Sequence, residues 1–155
     1  MTNATVRLAT IEDADSLIRM RWDFSEEDRL SGECTYEAFH DTCYAFLEQA
    51  VGGGNWLIWV AEADGMIVSH AYLQLISKMP RPGRKPDPRF GYVTNVYTRP
   101  GLRGMGIGSR VQLAMERWAK ENGVEFLVLW PSREGVPFYE RNGFARADEA
   151  MEKHF

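Results

Sequence analysis

Between residues 92 and 122 the chain passes from a strand pattern into a helix pattern through three glycines in five residues, a junction that few folds accommodate. Tyr92-Val93-Thr94-Asn95-Val96-Tyr97-Thr98 is β-branched and aromatic throughout, and Arg99-Pro100-Gly101 punctuates it. From Gly106 to Asn122 the apolar residues Ile107, Val111, Leu113, Ala114 and Trp118 keep a helical period, and Asn122-Gly123 supplies the stop. A strand that feeds a helix through Arg103-Gly104-Met105-Gly106-Ile107-Gly108-Ser109 gathers several backbone N–H groups at the positive end of the helix dipole. Such a turn stabilises an anion, because glycine tolerates the dihedrals required and keeps side chains away from the amides. Taken alone it fits a ligand-free strand-to-helix turn as well. It is not a nucleoside-triphosphate loop, since no lysine follows the glycines before Lys120. Nor does it complete a dinucleotide fingerprint, since Ser109 stands where GxGxxG needs its last glycine.

The elements around this junction follow from period and punctuation. Val6 to Ala9 alternates as a short strand, and Thr10 offers an N-cap to a helix expected from about Ile11 to Arg21. A second helix is expected from Thr35 to Val51, ended by Gly52-Gly53-Gly54. Asn55 to Ala63 and Met66 to Ile76 read as a hairpin through Asp64-Gly65, a type I′ turn pair. Pro80, Pro82, Pro86 and Pro88 make the next connection stiff and irregular. Phe126 to Trp130 reads as a buried strand, Arg133 to Asn142 as a short helix capped by Gly143, and Phe144 onward as a last strand or hairpin. Residues 1–155 are therefore expected to form a single α/β domain with a mixed sheet between helices.

Charge narrows the partners. The net charge of −4 argues against general nucleic-acid binding, and no stretch approaches the length of a membrane span. With no basic-then-apolar leader pattern at Met1 to Asp13, the expectation is a cytoplasmic protein. Residues 1–50 carry eleven acids against four arginines, which would suit a cationic substrate. Residues 78–103 hold seven cations against Asp87 alone, which suits phosphates or a solvated loop equally. Cys34 and Cys43 lack metal-ligand spacing, and His40, His70 and His154 are scattered, so no metal is expected. Trp22, Phe24, Tyr36 and Phe39 would serve either as core or as the wall of a pocket for an amine. Trp56 and Trp59 fall on opposite faces of their strand, leaving the sheet core or a homodimer face open for them.

Arg103 to Gly108 matches [RQ]xxGx[GA] in full, and Trp130 to Phe144 resembles NxxAxxxYExxGF. These two motifs, in this order, resemble those of the GNAT N-acetyltransferases. The resemblance implies a mostly antiparallel, three-layer α/β/α fold and acetyl-CoA as cosubstrate, with no metal. It further implies a pyrophosphate site along Arg103, Gly104, Met105, Gly106, Ile107, Gly108 and Ser109, and a pantetheine arm paired with Val96 and Thr98. Phe138 and Ser132 would complete the cofactor site, Ser132 standing where many relatives have asparagine, as Gly135 stands for alanine. Tyr139 falls at the position of the general acid, its hydroxyl protonated at neutral pH and able to donate to a departing thiolate. No acid lies between Phe90 and Thr98 to act as base, so Tyr92 and Asn95 would order a water, Glu33 or Glu37 would serve, or the free amine would arrive by mass action. The expected reaction acetylates the primary amine of a small cationic molecule; a peptide or protein amine, or a non-catalytic acyl-CoA sensor, are the alternatives.

Overall fold

Strand alternation divides the hydrophobic residues between two faces, and the computed structural model, which describes residues 3–28 and 32–155, shows both faces covered. Five strands form one sheet in the order β1 (Thr5–Leu8), β2 (Trp56–Ala63), β3 (Met66–Ser77), β4 (Arg89–Thr98) and β5 (Val124–Val128). The first four are antiparallel neighbours, whereas β5 runs parallel to β4. A parallel pair requires a crossover, and α3 (Ile107–Glu121) makes it. Its Ile107, Val111 and Met115 pack on Trp59, Leu73 and Val93. On the opposite face α1 (Ala14–Glu27) and α2 (Tyr36–Gly53) bring Leu17, Ile18, Met20 and Leu47 onto Ile58, Val60, Tyr72 and Tyr97. The short α4 (Val136–Arg141) follows β5. This is the mixed, mostly antiparallel α/β/α sandwich expected.

Local chemistry sets the boundaries. Asp64 and Gly65 take φ of 51° and 75°, the two left-handed residues of a type I′ turn. Thr35 caps α2 by accepting from the Ala38 N–H at 3.2 Å, and Gly54 ends the helix at φ 77°. Gly52 and Gly53 are carried within α2. α1 outlasts its expected end at Arg21 because the stripe of Leu17 and Met20 continues to Phe24, whose ring stacks on Tyr97 at 5.0 Å. The chain from Phe144 to Phe155 forms no strand, and Met151 and Phe155 are fully exposed. Its acids and alanines give no apolar alternation with which to pay for pairing.

Trp59 is buried against Trp118 of α3, while Trp56 packs between Phe46 and Tyr72 on the other face. Trp22 meets Tyr36 at 5.5 Å and Phe39 at 5.7 Å, so these aromatics lock α1 to α2. Cys34 and Cys43 are free thiols, Cys34 exposed. No described helix is long and apolar enough to cross a membrane.

Candidate active site

Strand β4 is paired on one edge along its length but on the other only as far as Tyr92, which faces Val128. From Val93 to Thr98 its second edge has no strand partner among the described residues, so backbone groups are left open for a ligand. A bulge adds to the fork. The β3–β4 register slips between His70, opposite Tyr97, and Tyr72, opposite Thr94, placing an extra residue on β4. Asn95 sits there at φ 49°, a conformation asparagine tolerates better than its β-branched neighbours do.

The bulge is held from three directions. Nδ1–H of His70 donates to the Asn95 carbonyl at 2.8 Å, Arg21 donates to Asn95 Oδ1 at 3.3 Å, and the Asn95 amide lies at the Tyr72 hydroxyl. His70 is fully buried, and its Nε2 has no partner. Burial, joined by the charges of Arg21 and Arg99, pushes this imidazole down to about 4. Sequence reading gave His70 no role. The visible signal was an asparagine inside a β-branched run, which marks a positive-φ position.

At the end of β4 the chain makes a 3₁₀ turn at Pro100–Leu102, and Gly104 and Gly106 take φ of 79° and 77°. Gly106 is the N-cap of α3 and has no side-chain cap; the first helical bond runs from the Arg110 N–H to the Gly106 carbonyl. The amides of Ile107, Gly108 and Ser109 are thus the orphan donors of a helix start, aimed where an anion is stabilised. Gly108 is needed for approach: a β-carbon there would meet Thr98 Oγ1 at 3.3 Å and the Phe138 ring at 3.4 Å. Gly108→Val should therefore push α4 off α3, an overpacking of about 1–3 kcal/mol. Its expected result is coenzyme A affinity at least ~10-fold weaker by calorimetric titration, whereas Gly101→Val, with open space at its β-carbon, should leave affinity unchanged.

The remaining predicted cofactor residues are distributed around this turn. Val96 packs against the α3-side core, and Thr98 Oγ1 shares a hydrogen bond with Ser69 Oγ at 2.8 Å. Ser109 Oγ accepts from Asn142 at 3.3 Å, which ties α3 to α4. Met105 is exposed. The Arg103 guanidinium turns toward α1: Nε donates to the Thr98 carbonyl at 2.8 Å and Nη2 to Glu27 at 2.9 Å. Glu27 also accepts from the Tyr97 hydroxyl at 2.6 Å.

Ser132 Oγ accepts from the Gly135 N–H at 3.1 Å, and a β-carbon on Gly135 would lie 3.1 Å from that oxygen. Serine here therefore goes with glycine at 135. Pro137, in the first turn of α4, lacks only an N–H that the helix start would leave unused. On α4, Phe138 reaches Gly108 and the next residue is Tyr139, whose ring stands edge-on to Phe138 at 5.1 Å and Phe144 at 5.7 Å. The Tyr139 hydroxyl has no protein partner among the described residues and reaches solvent, while burial of its ring raises its pKa to about 12.

Several acids expected to attract a cation are already paired. Asp13 is bound by Arg7, Asp15 by His40, Asp23 by Arg99 at 3.8 Å and Glu27 by Arg103. Glu33 and Glu37 are exposed and make no ion pair among the described residues. Tyr92 meets Trp130 at 5.2 Å beside the fork. No group of three metal-ligating side chains occurs among the described residues.

Comparison with known proteins agrees with this geometry. The model of the acetyltransferase (GNAT) family matches residues 17–144. The chain is 28% identical over 94 residues to glucosamine 6-phosphate N-acetyltransferase of Trypanosoma brucei brucei, a match spanning 61% of this chain and 61% of that enzyme. A predicted acetyltransferase from Clostridium acetobutylicum, crystallised with acetyl-CoA, superposes with a TM-score of 0.82 at 25% identity, covering 97% of this chain and 96% of the other. A GCN5-related N-acetyltransferase from Ralstonia eutropha JMP134 gives 0.77 at 27% identity, covering 98% and 99%.

Proposed function

This chain belongs to the acetyltransferase (GNAT) family, and from that premise we propose that it moves the acetyl group of acetyl-CoA onto the primary amine of a small molecule by direct attack, with Tyr139 as general acid. The observation that carries the reading is the meeting, at one end of β4, of an unpaired strand edge and uncapped α3 amides, with Phe138 of α4 against Gly108 and Tyr139 as the next residue. The amides of Gly104 to Ser109 would hold the pyrophosphate, and Val96 and Thr98 would pair with the pantetheine arm, with Phe138 and Ser132 alongside. When bound, acetyl-CoA supplies a thioester carbonyl for attack. The neutral amine forms the new C–N bond, the C–S bond breaks, Tyr139 gives its proton to the departing thiolate, and the proton lost from nitrogen passes to solvent. Tyr92 and Asn95 flank the fork and would order the water that takes that proton; Glu33 and Glu37 are exposed carboxylates that would attract a cationic amine.

Acidity gives this reading a pH signature. With Tyr139 raised to about 12, the acid keeps its proton wherever the amine is free. kcat/KM should therefore rise with pH until the amine is deprotonated and then stay level, with no descending limb below roughly pH 10. A fall near pH 8 would mean that another group supplies the proton.

The direct test is thiol release from acetyl-CoA against amines that include glucosamine 6-phosphate, the acceptor named for the trypanosome relative, a polyamine, an aminoglycoside and a free-amine peptide. Turnover with one class fixes the acceptor. A peptide or protein amine is the second reading, to which the Tyr92–Trp130 aromatic pair beside the fork would offer a surface. Absence both of turnover and of any rise in melting temperature with acetyl-CoA would sink the proposal.

A further inference from the structure

The connection between β3 and β4 brings like charges together and holds them there. Lys78, Arg81, Arg84 and Lys85 line a pocket of about 470 Å³ that also contains Glu125, Met79 and Pro88. Its neck is closed by the Lys78 N–H donating to the Pro88 carbonyl at 2.8 Å, and the Arg84 N–H bonds the Arg81 carbonyl at 3.2 Å. Four prolines stiffen the loop further. Lys78 is paired with Glu125 at 2.6 Å, but Arg81, Arg84 and Lys85 make no direct ion pair among the described residues. Glu125 is the one carboxylate in the lining, bonded to Lys78 and within electrostatic reach of Arg84 and Lys85, so one acid offsets four cations and the remaining repulsion is relieved when a further anion joins them.

Aromatic side chains lie between this pocket and the fork. Phe90 and Tyr92 share the face of β4 turned away from α3, since Gly91 between them faces Leu73 and Leu127. Phe90 stacks on Phe126 at 5.1 Å, and Tyr92 meets Trp130, just past the end of β5, edge-on at 5.2 Å, making a strip from the fork back toward the β3–β4 loop. Neither α1 nor α2 covers it: no β5 residue joins their core, and Phe126 and Trp130 are 51% and 59% exposed. Lys78 Nζ lies 5.8 Å from the Phe126 ring, so the strip ends at the pocket. Ser77, next to Lys78, pairs with Arg89, three residues before Tyr92; the fork and the cations are thus separated by about 10–15 Å of strand.

We infer that the β3–β4 pocket is an acceptor subsite for an anionic group, so that the preferred amine carries a phosphate or carboxylate at its far end and lies along the aromatic strip. The inference rests on the acetyl transfer proposed above. It predicts an amine held at the fork, a chain lying over Tyr92, Trp130, Phe90 and Phe126, and an anion received by Arg81, Arg84 and Lys85.

The test compares 8-aminooctyl phosphate, 9-aminononanoate and octylamine as acceptors, in the wild type and in Arg84→Gln/Lys85→Gln. The phosphate amine should exceed octylamine in kcat/KM by about fivefold or more, the scale of charge contacts at an exposed site. That ratio should collapse toward one in the double variant, through KM. A shared preference for 9-aminononanoate identifies a carboxylate as sufficient; preference for the phosphate alone identifies a phosphomonoester. Equal wild-type values, or a preference that survives in the variant, would overturn the subsite. Should no amine react, calorimetric titration of 8-aminooctyl phosphate without acetyl-CoA separates the two readings: saturable binding lost in the variant keeps the pocket while transfer fails, and absence of saturable binding removes it. Both side chains are solvent-exposed, so an unchanged melting temperature certifies the variant's fold.

Discussion

Tyr139→Phe should lower kcat by ~10²-fold or more, about 2.7 kcal/mol of barrier, while leaving the affinity for acetyl-CoA within a factor of about two. The division follows from which contacts the hydroxyl makes. Among the described residues it has no hydrogen-bond partner, so its removal breaks no such bond holding α4. The ring keeps its edge contacts with Phe138 and Phe144, and those contacts keep Phe138 against Gly108 at the start of α3. Stability should therefore change by no more than about 0.5 kcal/mol. What is lost is the proton. Without it the sulfur leaves as a free thiolate, and an amine acceptor cannot compensate, because the proton it releases appears on the nitrogen side. Stopped-flow thiol release and a coenzyme A titration on the same preparation separate the two quantities. A variant within about threefold of wild type would place the acid elsewhere.

The contrast between the Gly104–Gly106 turn and the Arg103 side chain shows what sequence patterning can and cannot fix. Local rules located the glycine turn, since left-handed dihedrals at Gly104 and Gly106 and the helix start at Ile107 depend on residues within a few positions of each other. The same holds for the Asp64-Gly65 hairpin and for the Thr35 cap of α2. Where a charged side chain turns is decided by residues far away in the chain. Arg103 meets Glu27 across 76 positions, and Arg99 meets Asp23. Those pairs join α1 to the turn before α3 and take Asp23 and Glu27 out of the set of carboxylates that the first third would otherwise offer a cation. The end of the chain departs from the strand or hairpin expected of it for a related reason: a strand needs a partner as well as a pattern, and Phe144 to Phe155 forms no strand.

The bulge is the other feature hidden from the sequence, and it carries the second large effect. Stability should fall as pH drops from about 6.5 toward 4, by about 2 kcal/mol at pH 5 and about 3 kcal/mol in full, because unfolded His70 binds a proton that the folded protein refuses. The sign follows from a folded value near 4, below the unfolded value: within that window the unfolded state holds more protons, so stability rises with pH. His40, raised chiefly by its hydrogen bond to Asp15, contributes in the opposite sense from an exposed site. Asp13, held down chiefly by Arg7, and Glu27, held down by Tyr97 and Arg103 against its partial burial, add losses only at lower pH. Urea midpoints between pH 7.5 and 4.5 measure the slope, and His70→Gln should flatten it between 6.5 and 4 even though its overall stability is lower. A wild-type protein with constant stability over that range would show that His70 accepts its proton in place. The consequence for the site is specific, since the Nδ1–H of His70 holds the carbonyl that keeps Asn95 at φ 49° and β4 open opposite β5. Acid that charges His70 removes the environment that suits a neutral ring, and the fork should be lost together with the core that surrounds it.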